Sequence, residues 1–204
     1  WGAAESDWSQ ITLSSYNSLF QTGANKGVTI FAASGDRGSS DGTSTSTTDF
    51  PASSPYVVAC GGTTLQTNDG LTILQEYVWN NNSTTSATGG GVSKVFAIPS
   101  YQSNVPYNLN GKRGVPDICG NADPNTGYKI YSAGEGGYTT VGGTSAVSPL
   151  WSGLTARINQ STASHIGFIQ PKIYTNLSAC RDILVGNNGA YVATSGWDPC
   201  TGCG

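Results

Sequence analysis

Hydrophobic and polar positions fall into blocks of different period along this chain. Near the start, Trp8, Ile11, Tyr16, Leu19 and Phe20 lie roughly on one face at helical spacing, which predicts a helix ending near Gly23 or Gly27. The run Val28-Thr29-Ile30-Phe31-Ala32-Ala33 is instead short, continuous and β-branched, as in a strand covered on both faces. It ends at Ser34-Gly35-Asp36-Arg37-Gly38. After a polar loop rich in Ser and Thr over 38–50, a second apolar run, Tyr56-Val57-Val58-Ala59-Cys60, closes at Gly61-Gly62. Helix followed by buried strand predicts an α/β fold with a mostly parallel sheet, whose ligands gather beyond the carboxyl ends of its strands. Asp36 stands at such an end.

The segment from Thr63 to Trp79 alternates irregularly and reads as a hairpin or edge strands, and Asn80 to Gly91 reads as a polar, glycine-rich loop. Gly114-Val115-Pro116-Asp117-Ile118 and Asn121-Ala122-Asp123-Pro124 are turn-dense and are expected to cross one end of the sheet. A hairpin around 134–137 joins Tyr128–Tyr131 to Tyr138–Val141. Next comes Gly142-Gly143-Thr144-Ser145-Ala146-Val147-Ser148-Pro149, then the apolar run Leu150-Trp151-Ser152-Gly153-Leu154. Two glycines permit a tight turn, and a helix is expected from Ser145 to about Gln160, with Pro149 inside its opening turn. A shorter helix covers Pro171–Leu177. Ser145 thus falls at a helix N-terminus, where peptide dipoles favour developing negative charge. That position suits an N-cap or a nucleophile.

Composition narrows the choice. The chain has 204 residues, of which 37% are hydrophobic, and shows no internal repeat or linker, which suits one globular unit. No apolar run is long enough to cross a membrane, and neither end resembles a signal peptide. Only 10% of residues are charged, against roughly 25% in ordinary domains. An acid medium therefore has few native ion pairs to break. The net charge of −3 gives no surface for nucleic acid. Abundant Gly, Ser, Thr and Asn, with sequons at Asn81, Asn82, Asn159 and Asn176, fit an extracellular or acidic vesicular setting. Five cysteines are an odd number, and Cys200-Thr201-Gly202-Cys203 lacks the second ligand pair a zinc site needs.

A serine nucleophile needs a base, and the single histidine, His165, lies twenty residues beyond Ser145, past the intervening helix. In acid an imidazole is protonated, so carboxylates would have to take its place. Asp41 and Asp49, in the loop after Asp36, are candidates for the walls of a substrate subsite.

The chain resembles the sedolisin family of serine-carboxyl peptidases, which share a subtilisin-like three-layer α/β/α fold. The matching motifs are Trp1-Gly2 with Glu5, Ala33–Gly38, Phe50–Tyr56, Gly89–Ser93, Arg113–Ile118, Gly120–Pro124, Gly142–Pro149 and Gly196–Pro199, in family order over nearly the whole chain. The resemblance implies a serine-type endopeptidase acting in acid on peptide or protein substrates. Ser145 matches the acyl-forming nucleophile. Asp36 matches the aspartic acid of the oxyanion hole, which donates a hydrogen bond only while protonated. Trp1 and Gly2, with Ser34 and Gly35, match the backbone edge along which substrate lies extended. One calcium ion is implied near 180–200, with side chains from Asp182 and Asp198 and carbonyls from Ile183, Thr194 and Gly196. Thr194 stands where the family usually has glycine. If that site forms, Cys180 comes close to Cys200 or Cys203, and a disulfide there becomes a hypothesis.

One part of the pattern is absent. The family's catalytic glutamate and its partner aspartate lie upstream of the tryptophan-glycine edge at which this chain begins. The expectation is that residues 1–204 are the C-terminal portion of a single catalytic domain, without the early strands of its sheet. An N-terminal chain of the same enzyme would then carry both carboxylates. The alternative is a catalytically inactive relative that serves as a binding or structural module.

Overall fold

A computed structural model describes residues 2–204. Helix α1 (Gln10–Asn25) opens on Ser9, whose hydroxyl oxygen accepts from the Thr12 N–H at 3.1 Å. Leu13 is buried, and Trp8 and Phe20 lie against Phe50 with ring centroids 5.6 and 6.1 Å away. Ile11 and Leu19 remain exposed, so only part of the apolar stripe is covered.

The principal strands that follow are β1 (Phe31–Ala33), β2 (Val58–Thr67), β3 (Ile73–Val78), β4 (Gly91–Ala97), β5 (Lys112–Val115), β6 (Ile118–Asn121), β7 (Tyr128–Ser132) and β8 (Gly137–Val141). Two helices close the chain, α2 (Thr144–Thr162) and α3 (Gln170–Thr175). The central sheet runs β6-β2-β1, all parallel, with Phe31 beside Val58 and Ile118 beside Cys60. β3 pairs antiparallel with the far half of β2, giving the expected hairpin. β4 with β5, and β7 with β8, form separate antiparallel ribbons.

Strand alternation decides which helix each residue meets. Val58, Cys60 and Phe31 face one side, where Val147 and Trp151 of α2 cover them. Val57, Ala59 and Ala32 face the other, packed with Phe20 of α1. The sheet thus lies between helices, an α/β fold with a mostly parallel core.

Two expectations change. β2 does not end at Gly61-Gly62 but runs through both, because each glycine gives room to a neighbour: a Cβ on Gly62 would stand 2.6 Å from that of Ala122. The turn-dense segment near Ile118 is the end strand of the parallel sheet rather than a loop across its end. Only Pro116 and Asp117 make the connection from β5 to β6. Asp117 is buried there with Arg113, which grips both its oxygens. The Ala59 N–H donates to the same carboxylate at 2.8 Å and the Tyr174 hydroxyl at 2.7 Å. Turn-forming residues here hold a strand in register through a buried ion pair whose carboxylate accepts four hydrogen bonds, while Arg113 Nε has no partner among the described residues.

Candidate active site

β1 delivers its last residues to the carboxyl edge of the sheet. Ser34 is buried, its N–H bonded to the Cys60 carbonyl at 2.9 Å and its hydroxyl donating to the Gly89 carbonyl at 2.8 Å. Its side chain therefore points away from the cleft. Asp36 turns the other way and meets the start of α2. Its Oδ1 accepts from the Thr144 N–H and from the Thr144 hydroxyl, each at 2.7 Å. Gly143 precedes the helix at φ +93°, and a Cβ there would sit 2.6 Å from Asp36 Oδ2. Only glycine satisfies both conditions.

Gly143 holds the cap position, so Ser145 is not an N-cap. Ser145 is the second residue of α2, exposed, and its hydroxyl has no hydrogen-bond partner among the described residues. Pro149 lies in the second turn rather than the opening one. It lacks the N–H that would bond the Ser145 carbonyl.

A cleft of about 320 Å³ opens at this junction, lined by Gly2, Gly35, Asp36, Asp41, Asp49 and Ser145 among others. Trp1, expected beside Gly2, lies outside the described residues. Asp49 is buried, and burial with the neighbouring Asp41 raises its pKa to about 8. Burial likewise lifts Asp41 to about 6, against the pull of the Arg37 guanidinium. Asp41 Oδ2 and Asp49 Oδ1 are buried without hydrogen-bond partners among the described residues. The two carboxyls form an acidic floor that is protonated in acid.

Thr144 escaped sequence reasoning. Its hydroxyl donates to Asp36 and accepts from the Gly35 N–H at 3.2 Å, tying both halves of the cleft together. A Thr before a Ser at a glycine turn carries no unique signal for that role. Glu5 is buried, receiving the Ser93 hydroxyl at 2.6 Å and the Lys94 N–H at 3.0 Å, which is a structural use. His165 sits past the far end of α2, a helix roughly 28 Å long at 1.5 Å per residue, and is exposed. It does not belong to the cleft.

The C-terminal loop brings the two expected metal aspartates onto one short segment. Asp198 Oδ2 accepts from the Thr194 N–H at 3.1 Å, and Asp182 Oδ2 accepts from the Gly196 N–H at 2.9 Å. Ile183 is buried beneath them. Asp198 is fully buried with no cationic side chain paired to it among the described residues, and burial raises its pKa despite several backbone donors. Two carboxylates on a loop of free carbonyls suit a hard cation, which would relieve the cost of that buried charge.

A model of the subtilase family matches residues 1–187. Kumamolisin of Bacillus sp. (strain MN-32) is 46% identical over 219 residues, which cover 100% of this chain and 39% of that protein. The chain belongs to the sedolisin family. Sedolisin of Pseudomonas sp. (strain 101) is 39% identical, covering 95% of this chain and 36% of its own length. A solved structure of Pseudomonas sedolisin, described as a serine-carboxyl proteinase complexed with two molecules of pseudo-iodotyrostatin, superposes with a TM-score of 0.90 at 37% identity. It is matched over 100% of this chain and 60% of that one, and the fold is subtilisin-like, with a mostly parallel sheet between helices. This sedolisin-family chain spans about two fifths of the length of the kumamolisin it matches. Its shared motifs divide by physics: Ala33–Gly38 and Gly142–Pro149 build the cleft, while Arg113–Ile118 and Trp197 build the core.

Proposed function

We propose that this chain is the nucleophile-bearing part of an acid serine-carboxyl endopeptidase. The observation that carries the reading is Ser145, exposed at the start of α2 and facing the same cleft as Asp36. Ser145 Oγ attacks the scissile carbonyl and its proton passes to a carboxylate base. The oxyanion is met at the helix N-terminus and by Asp36, whose Oδ1 is held by Thr144 while Oδ2 is left to carry a proton. Collapse returns that proton from the carboxyl to the leaving amine and leaves an ester on Ser145, which water then hydrolyses. Gly2 and Gly35 offer backbone to an extended peptide, and the Asp41–Asp49 floor receives a side chain of the substrate.

The base comes from a glutamate–aspartate pair outside residues 1–204. The partner that bears it covers β1, the edge strand of the sheet, and the exposed Val28 that precedes it. Asp182 and Asp198, with carbonyls of Ile183, Thr194 and Gly196, hold one calcium ion, which stabilises the C-terminal loop. An extracellular or acidic vesicular setting fits the sparse charge; no helix among the described residues is long and apolar enough to cross a membrane.

Peptide hydrolysis at acid pH tests the reading. The full-length protein is expected to be active, and the Ser145→Ala variant and residues 1–204 alone to lose essentially all turnover. Activity retained by Ser145→Ala contradicts the assignment. An inert full-length protein that still binds peptide favours a binding module.

A further inference from the structure

We infer that Cys180 and Cys203 form a disulfide that fastens the last turn of the chain to the segment bearing Asp182. Five thiols compete for partners, and their surroundings separate them. Cys200 Sγ lies 3.3 Å from the Tyr191 carbonyl and Cys60 Sγ 3.8 Å from that of Val58, each as a donor. Cys119 packs in the same cluster as Cys200, with Val78 and Ile183. Cys180 and Cys203 have no such hydrogen bond among the described residues. Cys203 belongs instead to the cluster of Leu109 and Trp197, against which Cys180 packs. Both line one cavity, together with Asp182 and Gly196.

Backbone geometry brings the pair into register. Cys203 is fixed by its N–H to the Asp117 carbonyl at 2.9 Å, and Cys180 by its N–H to the Leu177 carbonyl at 3.0 Å. One residue beyond each cysteine the two backbones touch: a Cβ on Gly204 would stand 3.1 Å from the Asp182 nitrogen and closer still to the Arg181 carbonyl. Adjacent backbones at this approach suit the Cα separation of roughly 4.4–6.8 Å that a disulfide spans. The ring so closed contains both Asp182 and Asp198, so the bond would hold the ends of the acidic loop together.

Formation follows by thiol–disulfide exchange with a small disulfide such as oxidised glutathione. The thiolate of Cys180, the more exposed of the two, attacks one glutathione sulfur and releases one reduced glutathione. The Cys203 thiolate then attacks the Cys180 sulfur and releases the second. The two thiol protons pass through solvent to the two released glutathione thiolates, the cysteine pair is oxidised and the glutathione disulfide is reduced.

The test incubates full-length protein with oxidised glutathione, alkylates the remaining thiols without reduction and maps peptides at low pH. The expected result is a peptide joining Cys180 to Cys203, about 2 Da lighter than the sum of its reduced halves, with Cys60, Cys119 and Cys200 alkylated. Adding reductant should lower the melting temperature of the oxidised protein by on the order of 5 °C, and should leave that of Cys180→Ala unmoved. All five cysteines alkylated, a linked peptide joining any other pair, or an equal shift in Cys180→Ala would each overturn the inference.

Discussion

Asp36 divides its work between two oxygens. Oδ1 accepts twice from Thr144, which fixes the carboxyl against the helix start, and Oδ2 faces the cleft beside Gly143. A side chain so positioned costs little reorganisation when charge develops. Replacing it by alanine removes the donor without filling the cleft, so Asp36→Ala is expected to lower kcat about 10²–10³-fold. Steady-state kinetics on the full-length protein checks this; a fall in binding alone, with kcat unchanged, would contradict the role. At this scale the sequence was informative where a residue has few other uses. Asp36 at a strand end and Ser145 after paired glycines stood out, whereas Thr144 acts through an ordinary hydroxyl that only the fold brings to Gly35. The same limit applies to Ser34, whose match to a substrate edge does not reveal that its side chain turns inward to Gly89.

Elements were legible where one periodicity ran uninterrupted. α1, α2 and the hairpin of β7 and β8 lie close to the expected places. β6 was hidden because turn-forming residues flank it and the ion pair that permits its burial joins β5 to the connection that precedes β6. The C-terminal loop is held by side chain–backbone bonds rather than by any regular element, so its shape had no period to read. If Asp182 and Asp198 hold calcium there, a chelator should lower the melting temperature of the protein, and Asp198→Asn should abolish that sensitivity. Thermal unfolding with and without chelator measures both. A melting temperature indifferent to chelator and to added calcium would remove the metal from the account.

For the whole molecule, the proposed acid setting has a physical counterpart in two buried carboxyls. Burial pushes the Asp41 and Asp49 carboxyls up to about 6 and about 8 in the fold, from 3.8. Between roughly pH 4 and pH 8 the folded chain therefore holds more protons than the unfolded chain. The stability from these neutral, buried carboxyls is full below that window and is lost as pH rises through it. The melting temperature should fall across that range, and Asp49→Asn, which cannot ionise, should flatten the fall; a rise with pH in the wild type would contradict the sign. The open edge at β1 and the exposed Val28 before it belong to this scale too, as the face on which the proposed partner carrying the base rests. The proposed function turns on one chemical event at Ser145. Acid quenching of the full-length protein during turnover of an activated peptide ester, followed by peptide mapping, observes it directly. The account predicts an acyl group on the peptide that contains Ser145; turnover with the acyl group on any other residue would contradict it.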